Sequence, residues 1–164
     1  DGLCLINLLG GNSLFELRAA LIAAEQEITG GFSLRCAPMA DIKDVGGLLG
    51  RAGLALPVAD SDRLTVTYSN MFRLMADLRG MGEQNAMLGR LRQPTRRAVF
   101  MRAAEIYQTK FGRDDGTIPA SFEITTLTGW APHESQQKPL RPGSGKTHLA
   151  TVIGGDDVGD PKQG

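Results

Sequence analysis

The sequence lacks most of the features that usually identify a metal site, a redox centre or a membrane protein. Its two cysteines, Cys4 and Cys36, stand far apart and form no C-x-x-C pair, so we expect two reduced thiols rather than a disulfide or a metal site. No apolar run approaches the ~20 residues that a membrane-spanning helix requires. Basic and acidic side chains balance at 18 each. Net charge therefore predicts neither a nucleic-acid partner nor a membrane partner.

Sequence motifs for catalysis are also missing, including G-x-S-x-G and any recognisable Cys–His spacing. The segment Gly143–Thr147 (GSGKT) resembles a phosphate-binding loop, but Leu140 stands where that loop requires its first glycine. His133 and Glu134 begin like the helix of a zinc protease, whereas Gln137 occupies the position of the second zinc ligand. We therefore expect no metal site, and spacing alone identifies no catalytic residue.

A local group of arginines is the one strongly basic stretch. Aromatic residues that would stack on bases are not interleaved with it. A solvated helix face is the favoured interpretation, and binding of RNA or of an acidic carrier protein is the alternative. The residues are Arg90, Arg92, Arg96, Arg97 and Arg102.

The remaining pattern is that of an α/β domain, and 164 residues are enough for one hydrophobic core. We expect a fully buried, parallel strand over Gly2–Leu9, because a short apolar run ends there at two glycines. Ser13 and Glu16 have the spacing of a capping box and predict the start of a helix that ends at Gly30. Further predicted elements are a helix capped by Asp41, a strand over Leu54–Tyr68, a helix capped by Asn70, a short helix at Asn85–Leu91 and a long helix over Thr95–Phe111.

The segment Phe122–Trp130 predicts the strand around which the domain is built. It is rich in β-branched and aromatic residues and has no interior proline. Apolar or branched residues occur on both of its alternating faces, which is typical of an inner strand covered on both sides by helices. Residues 1–132 are predicted to form the domain. Residues 133–164 are rich in glycine and proline and predict an irregular tail with a disordered end.

The order of these elements resembles the second half of a class I S-adenosylmethionine-dependent methyltransferase. GLCLINLLGGNSLFELRAALIAAE is similar to the fifth strand and the helix after it, and MADIKDVGGLLGRAGLALPVADSDRLTVTY to the next helix and the sixth strand. MFRLMADLRGMGEQNAM resembles the helical insertion over the substrate side in the methyltransferase of biotin synthesis. TIPASFEITTLTGWAPHESQQKPLRPGS is similar to the C-terminal end of the complex I assembly-factor group of mitochondria and α-proteobacteria. The resemblance covers about residues 1–148.

This resemblance implies a Rossmann-like sheet in which the last strand runs antiparallel between the fifth and the sixth strands. Residues 69–97 would form a lid on the substrate side. Such proteins bind S-adenosylmethionine through a glycine-rich loop after the first strand and an acidic residue at the end of the second. This sequence lacks both features, and Gly10-Gly11 does not have the required spacing. We therefore expect cofactor binding by a complete protein and not by this chain alone.

The resemblance also suggests residues for substrate binding. Arg79 and Asn85, near the end of the first lid helix and the start of the next, are expected to contact substrate. Tyr68, Trp130 and His133 are expected to line the mouth of the site.

By resemblance, the complete protein acts on a protein or a carrier-bound acyl group in respiratory complex I assembly, and a complex I subunit is a possible partner. Methyl transfer is the expected reaction, and some members of the assembly-factor group hydroxylate protein arginines instead. A non-enzymatic module that binds a client subunit is a further alternative. We expect a bacterial cytoplasmic protein whose isolated chain is inactive. Its chain begins at Asp1, directly in an apolar run, as if cut within a domain, and the unpaired edge of Leu3–Leu9 predicts aggregation or edge-to-edge pairing.

Overall fold

The computed structural model describes residues 1–137 and 141–145. These residues belong to two compact units, Asp1–Pro132 and a second unit that begins at His133. The first unit contains all the helices and strands of the described part of the chain. They are, in order, β1 (Leu3–Leu9), α1 (Phe15–Thr29), α2 (Ile42–Arg51), β2 (Ala55–Tyr68), α3 (Met71–Gly80), α4 (Arg97–Phe111) and β3 (Ile118–Trp130).

The three strands form one antiparallel sheet with β3 in the middle. β1 pairs antiparallel with one side of β3, from Leu3 opposite Trp130 to Leu9 opposite Ile124. β2 pairs antiparallel with the other side, from Ala55 opposite Trp130 to Tyr68 opposite Ile118, with a bulge between Ala55 and Val58. The prediction of a central strand is confirmed, and its position between the two others, antiparallel to both, agrees with the sheet order that the resemblance implies.

Both faces of β3 are covered, as its sequence indicates. Ile118 and Phe122 pack into the main core, which is formed with the apolar faces of α1, α3 and α4. Leu127 packs into a smaller cluster with Val45 and Leu49 of α2. The predicted caps of two helices are confirmed, since the side chains of Asp41 and Asn70 accept hydrogen bonds from the first turns of α2 and α3.

The prediction of a buried, parallel first strand is wrong in two respects. β1 is an edge strand of the described sheet, and its one neighbour there, β3, runs antiparallel to it. Leu3 and Leu5 are 56% and 58% exposed, because no helix of the described chain covers that end of the strand. An apolar run in the sequence indicates that a strand tends to be buried, but it does not show which helix or strand would cover it.

Two local predictions are also wrong. Ser13 and Glu16 do not form a capping box: α1 begins after Leu14 in the left-handed conformation, without a side-chain cap. Both side chains instead hydrogen-bond to β3. The predicted helix over Asn85–Leu91 is absent, and residues 81–96 form turns and irregular structure between α3 and α4.

In the second unit, the described residues form short turns. The backbone N–H of Gln136 bonds to the carbonyl of His133, and that of Ser144 to the carbonyl of Arg141. Most of the predicted irregular tail, including its expected disordered end, lies outside the described residues. None of the helices that the structure describes has the length and apolar character to cross a membrane.

Candidate functional site

A cavity of about 220 Å³ opens beside α1 and is the best candidate for a ligand site in the first unit. α1 contributes Arg18, Leu21 and Ile22 to its wall. Residues 32–38 form the opposite wall, and Met87 closes one side from the segment between α3 and α4. The lining is mainly apolar, with two guanidinium groups and one thiol among its polar groups. The cavity therefore combines an apolar body with a small number of placed charges, as ligand sites commonly do.

Residues 32–38 are held against α1 by an ion pair. The carboxylate of Glu25 is buried and lies 2.8 Å from Nη2 of Arg35. It also accepts hydrogen bonds from the backbone N–H and the hydroxyl of Ser33, at 2.9 and 2.8 Å. Burial alone raises the pKa of Glu25, but the hydrogen bonds from Arg35 and Ser33 and the charge of Arg35 outweigh it, so the pKa lies below its ordinary value.

Arg35 is fixed from three sides. Besides Glu25, it donates from Nη1 to the hydroxyl of Thr95 at 3.0 Å. Its guanidinium carbon lies 6.0 Å from the ring centre of Phe100 on α4, within the range of a cation–π contact. The charge of Arg35 is thus already compensated by Glu25, and its position is set before any ligand binds.

Arg18 differs from Arg35 because no carboxylate of the described chain lies within 4.0 Å of its guanidinium group. Its Nη2 donates to the carbonyl of Gly11 at 2.6 Å. Its Nε is buried and has no hydrogen-bond partner among the residues that the structure describes. A buried hydrogen-bond donor without a partner costs free energy. Arg18 thus places both an unpaired N–H donor and an uncompensated positive charge at the cavity wall.

Asn85 joins the two loops that border the cavity. Its Nδ2 donates to the carbonyl of Leu34 at 2.7 Å, and its Oδ1 accepts from the backbone N–H of Met87 at 3.1 Å. Cys36 also lines the cavity, and burial raises the pKa of its thiol although the charges of Arg18 and Arg35 oppose this. At neutral pH the thiol is therefore largely protonated.

A second group of polar side chains ties the turn between β1 and α1 to the sheet. Glu123 on β3 accepts hydrogen bonds from the backbone N–H of Asn12 at 2.8 Å and from the hydroxyl of Ser61 at 3.0 Å. The first of these bonds is the largest cause of its lowered pKa. Glu16 is buried and accepts a 2.6 Å bond from the hydroxyl of Ser121. The carboxylates of Glu123 and Glu16 therefore make hydrogen bonds within the fold rather than pointing to a ligand site.

The glycine pair after β1 does not fit a cofactor-binding turn. A Cβ at Gly10 would lie 2.8 Å from side-chain atoms of both Glu123 and Thr125. Glycine is needed there for the close approach of β3, not for the approach of a ligand. The turn at Gly10 therefore does not fit S-adenosylmethionine, and no catalytic step through that cofactor follows from the described residues. Nor does any group of three His, Cys, Asp or Glu side chains within them have the arrangement of a metal site.

The structure separates the residues expected to line one mouth. Tyr68 pairs with Ile118 at one end of β3, whereas Trp130 is at the other end. The twelve steps along β3 from Ile118 to Trp130, at about 3.3 Å each, put Tyr68 and Trp130 roughly 40 Å apart, so they do not line a common mouth within this unit. His133 belongs to the second unit, where its Nδ1 lies 2.8 Å from the hydroxyl of Ser135.

The two residues that were expected to contact substrate from a lid, Arg79 and Asn85, lie in different surroundings. Asn85 is at the cavity border, as described, whereas Arg79 is exposed in the last turn of α3. Tyr68 is half-buried at the end of β2. Burial raises the pKa of its hydroxyl, and the nearby carboxylate of Asp77 on α3 raises it further. Tyr68 and Asp77 thus lie close together, and Arg79 follows Asp77 by two residues.

The charged residues at the cavity were not identified from the sequence, although the position of Glu25 in the sequence indicates that it is buried. Glu25 follows Leu21 by four residues and precedes Ile28 by three, so it lies within the apolar stripe of α1. A charged residue in such a stripe indicates a buried partner. Nothing in the sequence indicates that Arg35 is this partner, since it lies in an irregular segment.

Comparison with known proteins gives the family context. No protein-family model matches the chain. The chain is 44% identical over 160 residues to the mitochondrial arginine-hydroxylase NDUFAF5 of Dictyostelium discoideum, which covers 97% of this chain and 36% of that protein. It is 41% identical over 144 residues to the human NDUFAF5, covering 88% of this chain and 41% of that protein. A malonyl-[acyl-carrier protein] O-methyltransferase of Laribacter hongkongensis is 34% identical over 143 residues, covering 87% of this chain and 46% of the enzyme.

The chain is a homologue of this methyltransferase-like group. It spans less than half the length of the NDUFAF5 and O-methyltransferase relatives that it matches here. The resemblance stated from the sequence is confirmed, for both the assembly-factor and the biotin-synthesis branches. The expectation of a bacterial cytoplasmic protein is wrong, because the NDUFAF5 relatives, at 39–44% identity, are mitochondrial proteins of eukaryotes.

Proposed function

We propose that this chain is the substrate-side portion of an NDUFAF5-like protein that hydroxylates arginine in a protein client during respiratory complex I assembly. The observation that carries the proposal is the level of identity, 39–44% to NDUFAF5 proteins against 32–34% to malonyl-[acyl-carrier protein] O-methyltransferases. The NDUFAF5 matches also extend over more of the chain, 88–97% against 80–87%. Methylation of a carrier-bound acyl group is the second candidate, supported by the methyltransferase matches.

In this proposal β1, β2 and β3 correspond to the fifth, sixth and seventh strands of a Rossmann-like sheet. The central, antiparallel position of β3 supports this assignment. α3 and residues 81–96 are the lid. S-adenosylmethionine would be held by the part of the relatives that this chain does not match, since the turn at Gly10 does not fit it.

The target arginine side chain is proposed to bind near Tyr68 and Asp77. A guanidinium group needs a negative or hydrogen-bonding partner, and the Asp77 carboxylate and Tyr68 hydroxyl offer both at the end of β2. The cavity beside α1 is unsuitable for this group, because the uncompensated charge of Arg18 lines it and like charges repel. Arg79, two residues after Asp77, is proposed to contact an acidic residue of the client rather than the target arginine.

A chimera tests the proposal. The residues of human NDUFAF5 that this chain matches would be replaced by the chain, and the chimera expressed in cells that lack their own NDUFAF5. We expect arginine-containing peptides of a complex I subunit to gain one oxygen atom, as measured by peptide mass spectrometry. The gain should fall in a chimera with Asp77→Asn, because the proposed partner of the target guanidinium loses its charge. Asp114→Asn, an exposed aspartate in the turn before β3, is the matched control.

A folded chimera that leaves the arginines unmodified would contradict hydroxylation. If that chimera still binds the complex I subunit, the non-enzymatic interaction module becomes the better account. If the Asp77→Asn and Asp114→Asn chimeras lose the modification equally, the proposed role of Asp77 is contradicted, but the proposal of arginine hydroxylation is not.

A further inference from the structure

The cavity beside α1 is not used by the proposed chemistry, and its charges suggest a ligand of its own. It is lined by apolar side chains from three parts of the first unit, with the exposed side chains of Phe32 and Leu34 at its border. Arg35 is neutralised by Glu25 at 2.8 Å. Arg18 has no such partner in the described chain, and its buried Nε makes no hydrogen bond there.

We propose that this cavity binds an aliphatic monocarboxylate, with its carboxylate on Arg18 and its hydrocarbon body between Leu21, Ile22 and Met87. A single uncompensated cation at the wall of an apolar cavity calls for a single negative charge. A carboxylate has acceptor oxygens that can pair with a guanidinium group, including the unused Nε–H. The apolar lining then removes the hydrocarbon body from water.

The pieces that shape the cavity are fixed without a ligand. Glu25 binds both Ser33 and Arg35, and Thr95 also binds Arg35, so the wall formed by residues 32–38 is held in place. Asn85 holds Leu34 and Met87 at the border. A preformed site avoids the cost of ordering loops on binding. Positive charge at the wall also makes the cavity select against amines and guanidinium groups of the same size.

Cys36 supplies a built-in reporter for occupancy, because it lines the cavity. The chain of 164 residues would be titrated with sodium octanoate and then alkylated briefly with iodoacetamide, and the modified fractions of Cys36 and Cys4 counted by peptide mass spectrometry. We expect octanoate to slow alkylation of Cys36 in a saturable way and to leave Cys4, which lies on β1, unchanged. Octan-1-ol, with the same body and no charge, should protect about ten-fold less well.

Two variants separate the charge from the space. Arg18→Met should weaken the protection by octanoate about ten-fold or more, because the charge-assisted hydrogen bonds are lost. Met87→Trp should abolish protection by filling the cavity, and it leaves the bond from Arg18 to Gly11 intact. Unchanged alkylation of Cys36 at saturating octanoate, equal protection by octan-1-ol, or full protection in the folded Met87→Trp protein would overturn the proposal.

Discussion

Replacing Glu25 with glutamine tests how the wall of the cavity is held. Both oxygens of this carboxylate accept hydrogen bonds, from Ser33 and from Nε and Nη2 of Arg35. Glutamine has nearly the same shape, but it loses the charge and presents an N–H₂ group to donors. The ion pair is largely buried, with Glu25 7% and Arg35 17% exposed. We expect a loss of about 2 kcal/mol, between the values for exposed and for fully buried pairs.

Urea unfolding measures this loss directly, in a chain that carries Leu5→Lys on exposed β1 to reduce self-association. With a slope of about 2 kcal/mol per molar urea, the midpoint should fall by roughly 1 M. Amide hydrogen exchange of residues 32–38 should become faster as well, since these residues lose their anchor. The matched control is Glu27→Gln on the same helix, whose ion pair with Arg102 is exposed and should contribute nothing measurable. An unchanged midpoint for Glu25→Gln, or an equal fall for both variants, would refute the reasoning.

The same carboxylate predicts an acid dependence with a definite sign. The pKa of Glu25 in the folded protein lies below its ordinary value of 4.5. Its contribution to stability is therefore fully present above about pH 4.5 and is lost as the pH falls through the lowered folded pKa. In the Glu25→Gln protein this part of the acid dependence should be absent, which urea unfolding at a series of pH values would detect.

Three further outcomes are expected. Asn85→Ala should speed proteolysis within residues 81–96 and cost about 1 kcal/mol, because a bond between two loops is lost, while Gln84→Ala, at an exposed side chain, should not. Gly10→Ala should lower stability by about 1–3 kcal/mol through its 2.8 Å contacts, as measured by thermal unfolding, whereas Gly31→Ala, which has no atom nearby, should be tolerated. The isolated chain should self-associate in light scattering, and Leu5→Lys on exposed β1 should reduce this; a monodisperse monomer without that substitution, at the same concentration, would contradict it.

Much of the fold could be read from local patterns. The central strand could be predicted because β3 has apolar or branched residues on both faces. Both faces can be buried only when the strand has a neighbour on each side and helices cover the sheet above and below. The caps at Asp41 and Asn70 were predicted because their partners lie within three residues, so sequence spacing fixes the geometry.

The errors share one physical cause, namely that the partner is distant in sequence. Ser13 and Glu16 have the spacing of a capping box, but the groups that they bind lie more than 100 residues away on β3. The same holds for Arg35, whose fixed position depends on Glu25 and on Thr95, 60 residues further along. Local spacing indicates which nearby hydrogen bonds a side chain could make. The tertiary structure determines whether those bonds or bonds to distant residues form.

The separation of Tyr68 from Trp130 has a related cause. Each residue ends a strand in the sequence. Because β2 and β3 are antiparallel, the end of one lies beside the start of the other, so the two residues fall at opposite ends of the sheet. Which residues can share a site depends on the relative direction of the strands, and strand direction cannot be read from the sequence.

The central claim, that the chain serves arginine hydroxylation rather than carrier methylation, is tested most directly by placing it in two hosts. The chain would replace the matched residues of human NDUFAF5 and, separately, those of the Laribacter hongkongensis O-methyltransferase. Mass spectrometry would then count oxygen gained by client arginines in the first host and methyl gained by malonyl-[acyl-carrier protein] in the second. We predict arginine oxidation by the first chimera and no methylation by the second. Methylation by the second chimera, with unmodified arginines in the first, would contradict the account.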